Sequence, residues 1–472
     1  MKRILIVFLV LPVLFAGCER SVDGLSEPTL TQNPEVFIDG FSSGLDYLPF
    51  GDSKLDAFSV DEETTFDGSG ASMRFDVPNV GDPTGAYAGA IFKDLNGGRD
   101  LTPYNALTFY AKATRAGTIN EIGFGNDFEQ SPYRTIIQGL RLSTSWKKYV
   151  IPIPDPSKLT EEQGMFWYAE GPEGESGEGY TFWIDELQYE YLPTLAQPRP
   201  FIKNGSDETG AAFVGQDLNI DGVGVTFNYA FETAGDVAVS QDITVNTTSN
   251  FFDFNSSNSA VAVVDGAVVS VVGPGDATIT ANLNGVDATG SISVSSIDLA
   301  PTPTRAAEDV IAIFSDPYTN RPVDYFNGYW TFSTTQGQDD IEVNGNNVIK
   351  YSQLNFVGIE FQGANSIDAS EMTHFHIDVY VENIIQAGDF MEIRIVDFGP
   401  NGVFGGDDTQ RSFFLNASSN PPISNGGWIS IEIPLPSTKA NMSQIIFVTE
   451  GTNPNATGSI TDVLIDNMYF YK

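Results

Sequence analysis

A chain of 472 residues exceeds what one hydrophobic core organises and sets an expectation of about three domains. Its 62 acidic against 23 basic residues give a net charge of -39, which argues against nucleic acid and anionic surfaces as partners, because phosphate binding needs clustered Lys and Arg. Aromatic residues, Gly and Pro are plentiful and long amphipathic helical patterns are scarce, so the expected architecture is all-β.

The chain opens with MKRILIVFLVLPVLFAGC, in which Lys2 and Arg3 precede an apolar run of export-signal length, short for a bilayer span. LFAGC resembles the bacterial lipobox. The resemblance implies a signal peptide over residues 1–17 and a lipid on Cys18, anchoring the protein to the outer membrane. Glu19 and Asp23 resemble the acidic signal that sends lipoproteins of Bacteroidetes-type bacteria to the cell exterior. Cys18 is the sole cysteine, so no internal disulfide is expected. Residues 18–33 are polar, with Pro and Gly, and read as a tether.

Alternating strand patterns then run through residues 34–193, in SMRFDV, ALTFYAKA, INEIGFG, KKYVIPIP and FWIDELQYEY. The loop at 169–180 is too polar to pack. Residues 194–200 (TLAQPRP) read as a linker. Over 201–296 aromatics thin out. There the Asp265-Gly266 and Gly273-Pro274-Gly275 turns and the alternating ATITA resemble the bacterial immunoglobulin-like domain of the intimin/invasin type, which implies a spacer. A proline-marked linker at 297–309 leads into a last module, 310–472. That module repeats the first. WISIEIPLP, IIFVTEG and VLIDNMYFY follow WKKYVIPIP, MFWYAEG and FWIDELQYEY in order, matching Trp146 with Trp428, Glu170 with Glu450 and Asp185 with Asp466. GAIF at 89–92 matches GIEF at 358–361, and Leu107 matches Phe375. Both Trp146 and Trp428 are expected in the core.

Each copy, with many short strands and a closing Ile-Asp-x-x-x-aromatic strand, resembles the galactose-binding-like carbohydrate-binding modules. The third is similar to modules accompanying laminarinases and other polysaccharide-degrading proteins of marine Bacteroidetes. The implied fold class is all-β, with two jelly-roll β-sandwich modules separated by an immunoglobulin-like β-sandwich. The resemblance also implies a structural calcium in each jelly roll, with Asp39 and Asp185, and Asp316 and Asp466, at matched positions.

Sugars are held by aromatic faces and by polar side chains that satisfy hydroxyls. The third module offers Tyr325, Tyr329, Trp330, Tyr351, Gln353, Asn355, Asp397, Phe404 and Arg411. The first offers Tyr87, Phe128, Tyr133, Arg134 and Trp167, and Arg134 and Arg411 precede matched apolar runs. His374, His376 and Asp378 alternate on one strand face, either as a polar face, as sugar-hydroxyl partners or as a zinc site. No hydrolase motif stands out. The expected function is non-catalytic capture of a polysaccharide, a β-glucan such as laminarin first, beside an outer-membrane glycan importer. An adhesion or scaffold protein, and a cryptic hydrolase or lyase, stay open as alternatives.

Overall fold

The structure is a computed structural model and describes residues 30–173, 177–232, 238–338, 340–343, 345–449 and 459–472. Cys18, Glu450 and part of the loop at 169–180 lie outside these. The chain divides into two compact units, one ending at Pro193 and the other beginning at Thr194. Among the described residues the regular structure is strand, with a few single 3-10 turns.

The first unit comprises β1 (Glu35–Phe37), β2 (Leu45–Pro49), β3 (Phe58–Asp61), β4 (Ser72–Asp76), β5 (Ala88–Asp94), β6 (Ala106–Ala113), β7 (Gly117–Phe124), β8 (Thr135–Leu142), β9 (Lys147–Pro152), β10 (Gly164–Glu170) and β11 (Thr181–Glu190). Two antiparallel layers form, in the orders β3-β4-β11-β6-β9, with β1 on β11, and β8-β7-β10-β5-β2. Between them pack Phe75, Phe92, Phe109, Phe166, Tyr168 and Phe182, all fully buried. Alternation puts one side of each strand into this core and the other outward. The buried Arg99 guanidinium pairs with Asp94 at 2.8 Å and donates to the carbonyls of Asn33 and Glu35, which ties the start of the module to the sandwich.

The second unit begins with β12 (Leu195–Phe201), so the residues expected as a linker at 194–200 instead pair with β15. Pro198 and Pro200 lack an N–H and therefore suit a strand that pairs here on one side. The middle domain continues with β13 (Asp207–Phe213), β14 (Asp217–Asn219), β15 (Gly224–Glu232), β16 (Ala238–Thr247), β17 (Asp253–Ser256), β18 (Ala262–Asp265), β19 (Val268–Val271), β20 (Asp276–Leu283), β21 (Val286–Asp287) and β22 (Ser291–Ile297). The last module holds β23 (Val310–Phe314), β24 (Asp340–Val343), β25 (Asn346–Tyr351), β26 (Phe356–Glu360), β27 (His374–Val381), β28 (Phe390–Asp397), β29 (Thr409–Asn416), β30 (Trp428–Pro434), β31 (Met442–Val448) and β32 (Val463–Tyr471). Its layers run β24-β25-β32-β27-β30, with β23 on β32, and β26-β31-β28-β29. The two modules thus share one sandwich plan, as the sequence repeat requires.

The closing strands β11 and β32 carry the same irregularity. Asp185 pairs with Tyr110 and Asp466 with Asp378, and the register shifts just afterwards. Glu186 and Asn467 take φ of 52° and 51°. This is a β-bulge, where one extra residue swings the strand.

The linker at 297–309 is strapped to the outer face of the third module. Trp428 Nε1 donates to the Asp298 carbonyl at 2.7 Å, and Asn467 Nδ2 to the Pro301 carbonyl at 3.1 Å. The Arg305 guanidinium lies 3.4 Å from the Tyr471 ring centroid and 3.5 Å from Glu432. Phe213 and Ile297 of the middle domain bury with Val343, Val348 and Leu464 of the module, and Leu299, Tyr380 and Trp428 pack alongside. Trp428 is therefore a seam residue and not the core residue expected. Each buried apolar side chain contributes roughly 2 kcal/mol and each neutral hydrogen bond roughly 1. Apolar burial therefore holds the seam and the polar bonds fix its register.

His376 anchors this face. It is buried, stacks on Tyr469 with centroids 4.6 Å apart, and contacts Glu432 at 3.0 Å and Asp378 at 3.5 Å. Of the three readings of His374, His376 and Asp378, this is the polar face. Burial disfavours the imidazolium, but the hydrogen bonds to Asp378 and Glu432 outweigh it and hold the pKa up at about 9 against an ordinary 6.5. The stabilisation is then complete below pH ~6.5 and lost as pH rises through ~9. Urea unfolding of the second unit should show a loss of up to about 3 kcal/mol across that window. His376→Gln should flatten the slope, and a slope equal to wild type would refute the assignment.

Candidate functional site

In the third module, the outward face of β26-β31-β28-β29 gathers the aromatic and polar groups. Its core side is Val357, Ile359, Ile393, Ile395, Ile445 and Phe447. The outward rows are Gly358–Ile446–Arg394–Ser412 and Phe356–Val448–Glu392–Phe414. Trp330 packs against Gly358, where a Cβ would come within 2.1 Å of the indole. The glycine is the condition for the ring's seat. Arg394 makes a two-pronged pair with Glu392 at 2.9 and 3.0 Å, and Ser412 Oγ donates to Glu392 at 2.6 Å.

The loop carrying Trp330 is knitted to the sheet. Asn327 donates to the Thr335 and Gly337 carbonyls, and Asn355 accepts from Thr334 N and donates to the Phe332 carbonyl. Tyr325 OH lies 3.4 Å from Trp330 Nε1. Burial, then the bond to Glu360, push its pKa up to about 12, so it stays a protonated donor. Tyr329 and Phe332 are 56% and 89% exposed, at φ of 45° and 72°. Bulky side chains avoid that region, and their presence there marks a loop shaped to show aromatic rings.

Of the residues expected here, Trp330, Tyr325 and Tyr329 share this corner. Asn355 is buried and positions the loop instead of facing a ligand. Tyr351 is wholly buried, donating to the Phe326 carbonyl, and its ring is closed to sugar. Gln353 stands at the turn before β26 with φ of 51°. Asp397 is buried and accepts from Gly399 N and Asn441 N, so it shapes the loop at 397–409. Phe404, 74% exposed, stands on that loop against Phe398. Arg411 pairs with Ile395, on the core-side face at the sheet's edge and away from Trp330. The outward arginine is Arg394. Sequence reading missed it, although alternation in MEIRIVD, with Met391, Ile393 and Ile395 inward, points Glu392 and Arg394 outward.

In the first module the corresponding face is that of β8-β7-β10-β5-β2. Leu48, Ile91, Trp167, Gly123 and Ile136 form one outward row, and Gly89, Ala169, Glu121 and Gln138 the next. Tyr87 and Phe50 lie over Gly89 as Trp330 lies over Gly358. Trp167 is buried beneath this layer, packed with Ile91, Ile136 and Phe50. It is the floor of the face and not a stacking platform. The Arg134 guanidinium sits 5.1 Å from its centroid, Phe128 is 50% exposed against Phe50, and Tyr133 is partly buried. Register aligns Ile137, not Arg134, with Arg411, so the two arginines are not equivalent.

At the expected calcium positions each module pairs a buried carboxyl, Asp185 or Asp466, with an exposed one, Asp39 or Asp316. Asp185 accepts from Phe66 N, Ser69 Oγ and Glu186 N, and Asp39 from Gly70 N and Ala71 N. Both oxygens of Asp185 and one of Asp39 thus meet hydrogen donors, and the pair anchors the loop at 66–71. Asp316 accepts twice from Asn347. Asp466 accepts from Asn467 N and Asn346, and burial, with Asp316 and Asp378 nearby, raises its pKa to about 7. Among the described residues no group of three or more His, Cys, Asp or Glu is arranged to hold a metal.

Residues 33–191 match the family model of carbohydrate binding domain 30. No curated protein matches the chain. Among solved structures it is similar to a family 30 carbohydrate binding module, at 17% identity over 35% of this chain and 97% of that one, TM-score 0.23. It is also similar to SGBP-B from a complex xyloglucan utilization locus in Bacteroides uniformis, at 9% over 88% and 98%, TM-score 0.23. A family 11 module from Clostridium thermocellum in complex with a beta-1,3-1,4-mixed-linked tetrasaccharide gives 16% over 30% and 85%, TM-score 0.21. By class the protein is an all-β protein built of β-sandwiches, and the match to the carbohydrate binding domain lies in its first module.

Gly358→Val should displace Trp330, shift its fluorescence and preserve the far-UV strand signal. Unchanged Trp emission would show that the ring does not depend on the glycine.

Proposed function

We propose that the protein is a non-catalytic, lipid-anchored glycan-binding protein of the outer cell surface that captures polysaccharide for degradation and import. The observation that carries this is the corner in which Trp330 lies over Gly358 beside the Arg394–Glu392 pair, with Tyr329 and Phe332 exposed next to it. A flat ring covers sugar C–H surface, and a charged fork aligns hydroxyls. The family match of the first module supports a second binding face on the same chain. Two weak faces on one tether raise the effective affinity for a long polymer with no new contact. The favoured ligand is a β-1,3-glucan such as laminarin, because this neutral polymer suits a strongly acidic chain and an aromatic face. The middle domain, read as immunoglobulin-like, extends the third module, since the seam at Trp428 fixes the two together.

Affinity electrophoresis of the protein without its lipid anchor, against laminarin, mixed-linkage glucan and mannan, tests the reading. Trp330→Ala should weaken retention about tenfold, equivalent to about 1.4 kcal/mol. Arg394→Gln should weaken it several-fold and Arg411→Gln should leave it unchanged. No retention on any glycan would favour an adhesion or scaffold role. New reducing ends from the retained glycan would reveal a hydrolase.

The reading includes a structural calcium in each jelly roll, at Asp39 with Asp185 and at Asp316 with Asp466, supported in the third module by the crowding of Asp316 and Asp466 with Asp378. Calcium should then raise the melting temperature of the second unit and chelator should lower it, with Asp466→Asn abolishing the difference. Equal melting with and without calcium would remove the ion from the account.

A further inference from the structure

We infer, resting on the reading of the Trp330 face as a glycan site, that the same face carries a second sugar subsite at its far edge. One polymer then lies across all four strands. Phe356, Val448, Glu392 and Phe414 form a single outward row over β26, β31, β28 and β29. The row starts at Phe356, whose ring centroid lies 6.5 Å from that of Trp330. It ends at Phe414, which is 50% exposed on the edge strand. Phe390 stands two residues before Glu392 on β28 and so faces the same way, with its centroid 6.1 Å from that of Phe414. These two rings, with Gly388, Asn416 and Ser418, line an open cleft of about 550 Å3. Three interstrand steps of ~4.8 Å separate Phe414 from Phe356 by roughly 14 Å.

Hydrogen bonds hold the walls of the cleft in place. Asp389 at its lip accepts from Gln386 N and from Ser459 N and Oγ, so its carboxylate is satisfied within the protein. Asn416 Oδ1 accepts from Ser418 N, and Asn416 N donates to Ser419 Oγ, which shapes the turn after β29. Among the described residues, Asn416 Nδ2 and Arg394 Nη1 donate to no protein group. Two donors thus remain for a ligand, one in the cleft and one along the row that leads to it.

The chemistry of the row selects its occupant. Where this module meets protein, at the seam, Phe213 and Ile297 cover the contiguous apolar patch of Val343, Val348 and Leu464. Around Phe414 the apolar groups are rings, and Glu392, Ser412, Asn416 and Ser418 stand between and beside them. Rings that cover C–H surface, set among amide and guanidinium donors, match the apolar face of a sugar and its rim of hydroxyls. Glu392 is answered by Arg394 and Asp389 by its own donors, so the row suits an uncharged polymer. A chain held at both ends of the row gains more from its length than one held at Trp330 alone. The second subsite therefore favours polymer over the short products of its degradation.

The test uses the full chain, without its lipid, in affinity electrophoresis on laminarin, mixed-linkage glucan and mannan, with sized fragments of the retained polymer as competitors. Phe414→Ala should weaken retention roughly threefold to tenfold and leave the far-UV signal unchanged. Long fragments should displace wild type at far lower concentration than the disaccharide does, and Phe414→Ala should shrink that advantage. Trp330→Ala should weaken binding of long and short fragments alike. Phe414→Trp should restore retention to at least the wild-type level. Wild-type retention of Phe414→Ala, or an unchanged preference for long fragments, would overturn the inference and leave the glycan reading standing. Altered sedimentation of Phe414→Ala with normal retention would do the same, because the ring would then serve a contact between copies of the chain. No retention of wild type on any of the three polymers would overturn both.

Discussion

Both sandwiches depend on a buried aspartate at a bulge in the last strand. Without the extra residue, a continuous β11 or β32 would carry its inward side chains to the wrong face halfway along. The bulge lets Ile184 before it and Leu187 and Tyr189 after it all point into the core. The following residue must then accept a left-handed φ, which Asn tolerates better than Glu. The aspartate does more than satisfy the kink. In the first module its second oxygen holds Phe66 N and Ser69 Oγ, and leaving buried donors of this kind unpaired costs roughly 1–3 kcal/mol each. In the third, Asn467 reaches from the bulge to Asp378 and to the linker carbonyl of Pro301. One local irregularity thus fixes a covering loop in one copy and a neighbouring domain in the other.

With the cores so alike, the outward faces decide what each module does. Each sandwich has two of them. One face in each copy places an aromatic ring over a matched glycine, Gly89 or Gly358, and surrounds it with polar groups. The other face has diverged further. In the third module it is a seam, sealed by Trp428, Leu464 and Tyr380 and braced by the His376–Glu432–Arg305 chain. In the first it is a cation–aromatic lattice. Burial explains the difference in cost. A seam tolerates charge where a partner answers it, as Glu432 answers both His376 and Arg305, and a lattice facing water needs no such answer.

Much of the fold was legible because a two-residue period and a repeated Trp…Ile-Pro-x-Pro…Ile-Asp pattern depend on local chemistry alone. Faces were less legible. Matching MFWYAEG with IIFVTEG sets Trp167 on Phe447, but Trp167 stands outward opposite Ile91 and Phe447 inward opposite Val357. Ala169 pairs with Gly89 and Ile446 with Gly358, so the strands are in fact matched with an odd slip, and an odd slip reverses every side chain. An odd slip also separates Arg134 from Ile137, the residue that register sets on Arg411. Trp146 and Trp428 misled for a related reason. A large apolar residue in a strand reads as core, yet an outward face that receives a domain, or a ligand, is apolar too.

This bears on how the aromatic residues should be weighed. Trp167 and Trp330 occupy the same kind of sheet face, yet one is the floor and the other the surface. What separates them is the layer above. Phe50 and Arg134 crowd the buried Trp167 ring, whereas the Trp330 ring, resting on a glycine, stays partly exposed. A ring contributes stacking energy to a ligand only over the area it leaves in water, so a buried indole adds shape and stiffness to a face and little direct affinity. The aromatic residues that matter for recognition are therefore those displayed by loops against a small residue in the strand below. Sequence exposes that arrangement only when the glycine and the loop that covers it are read together.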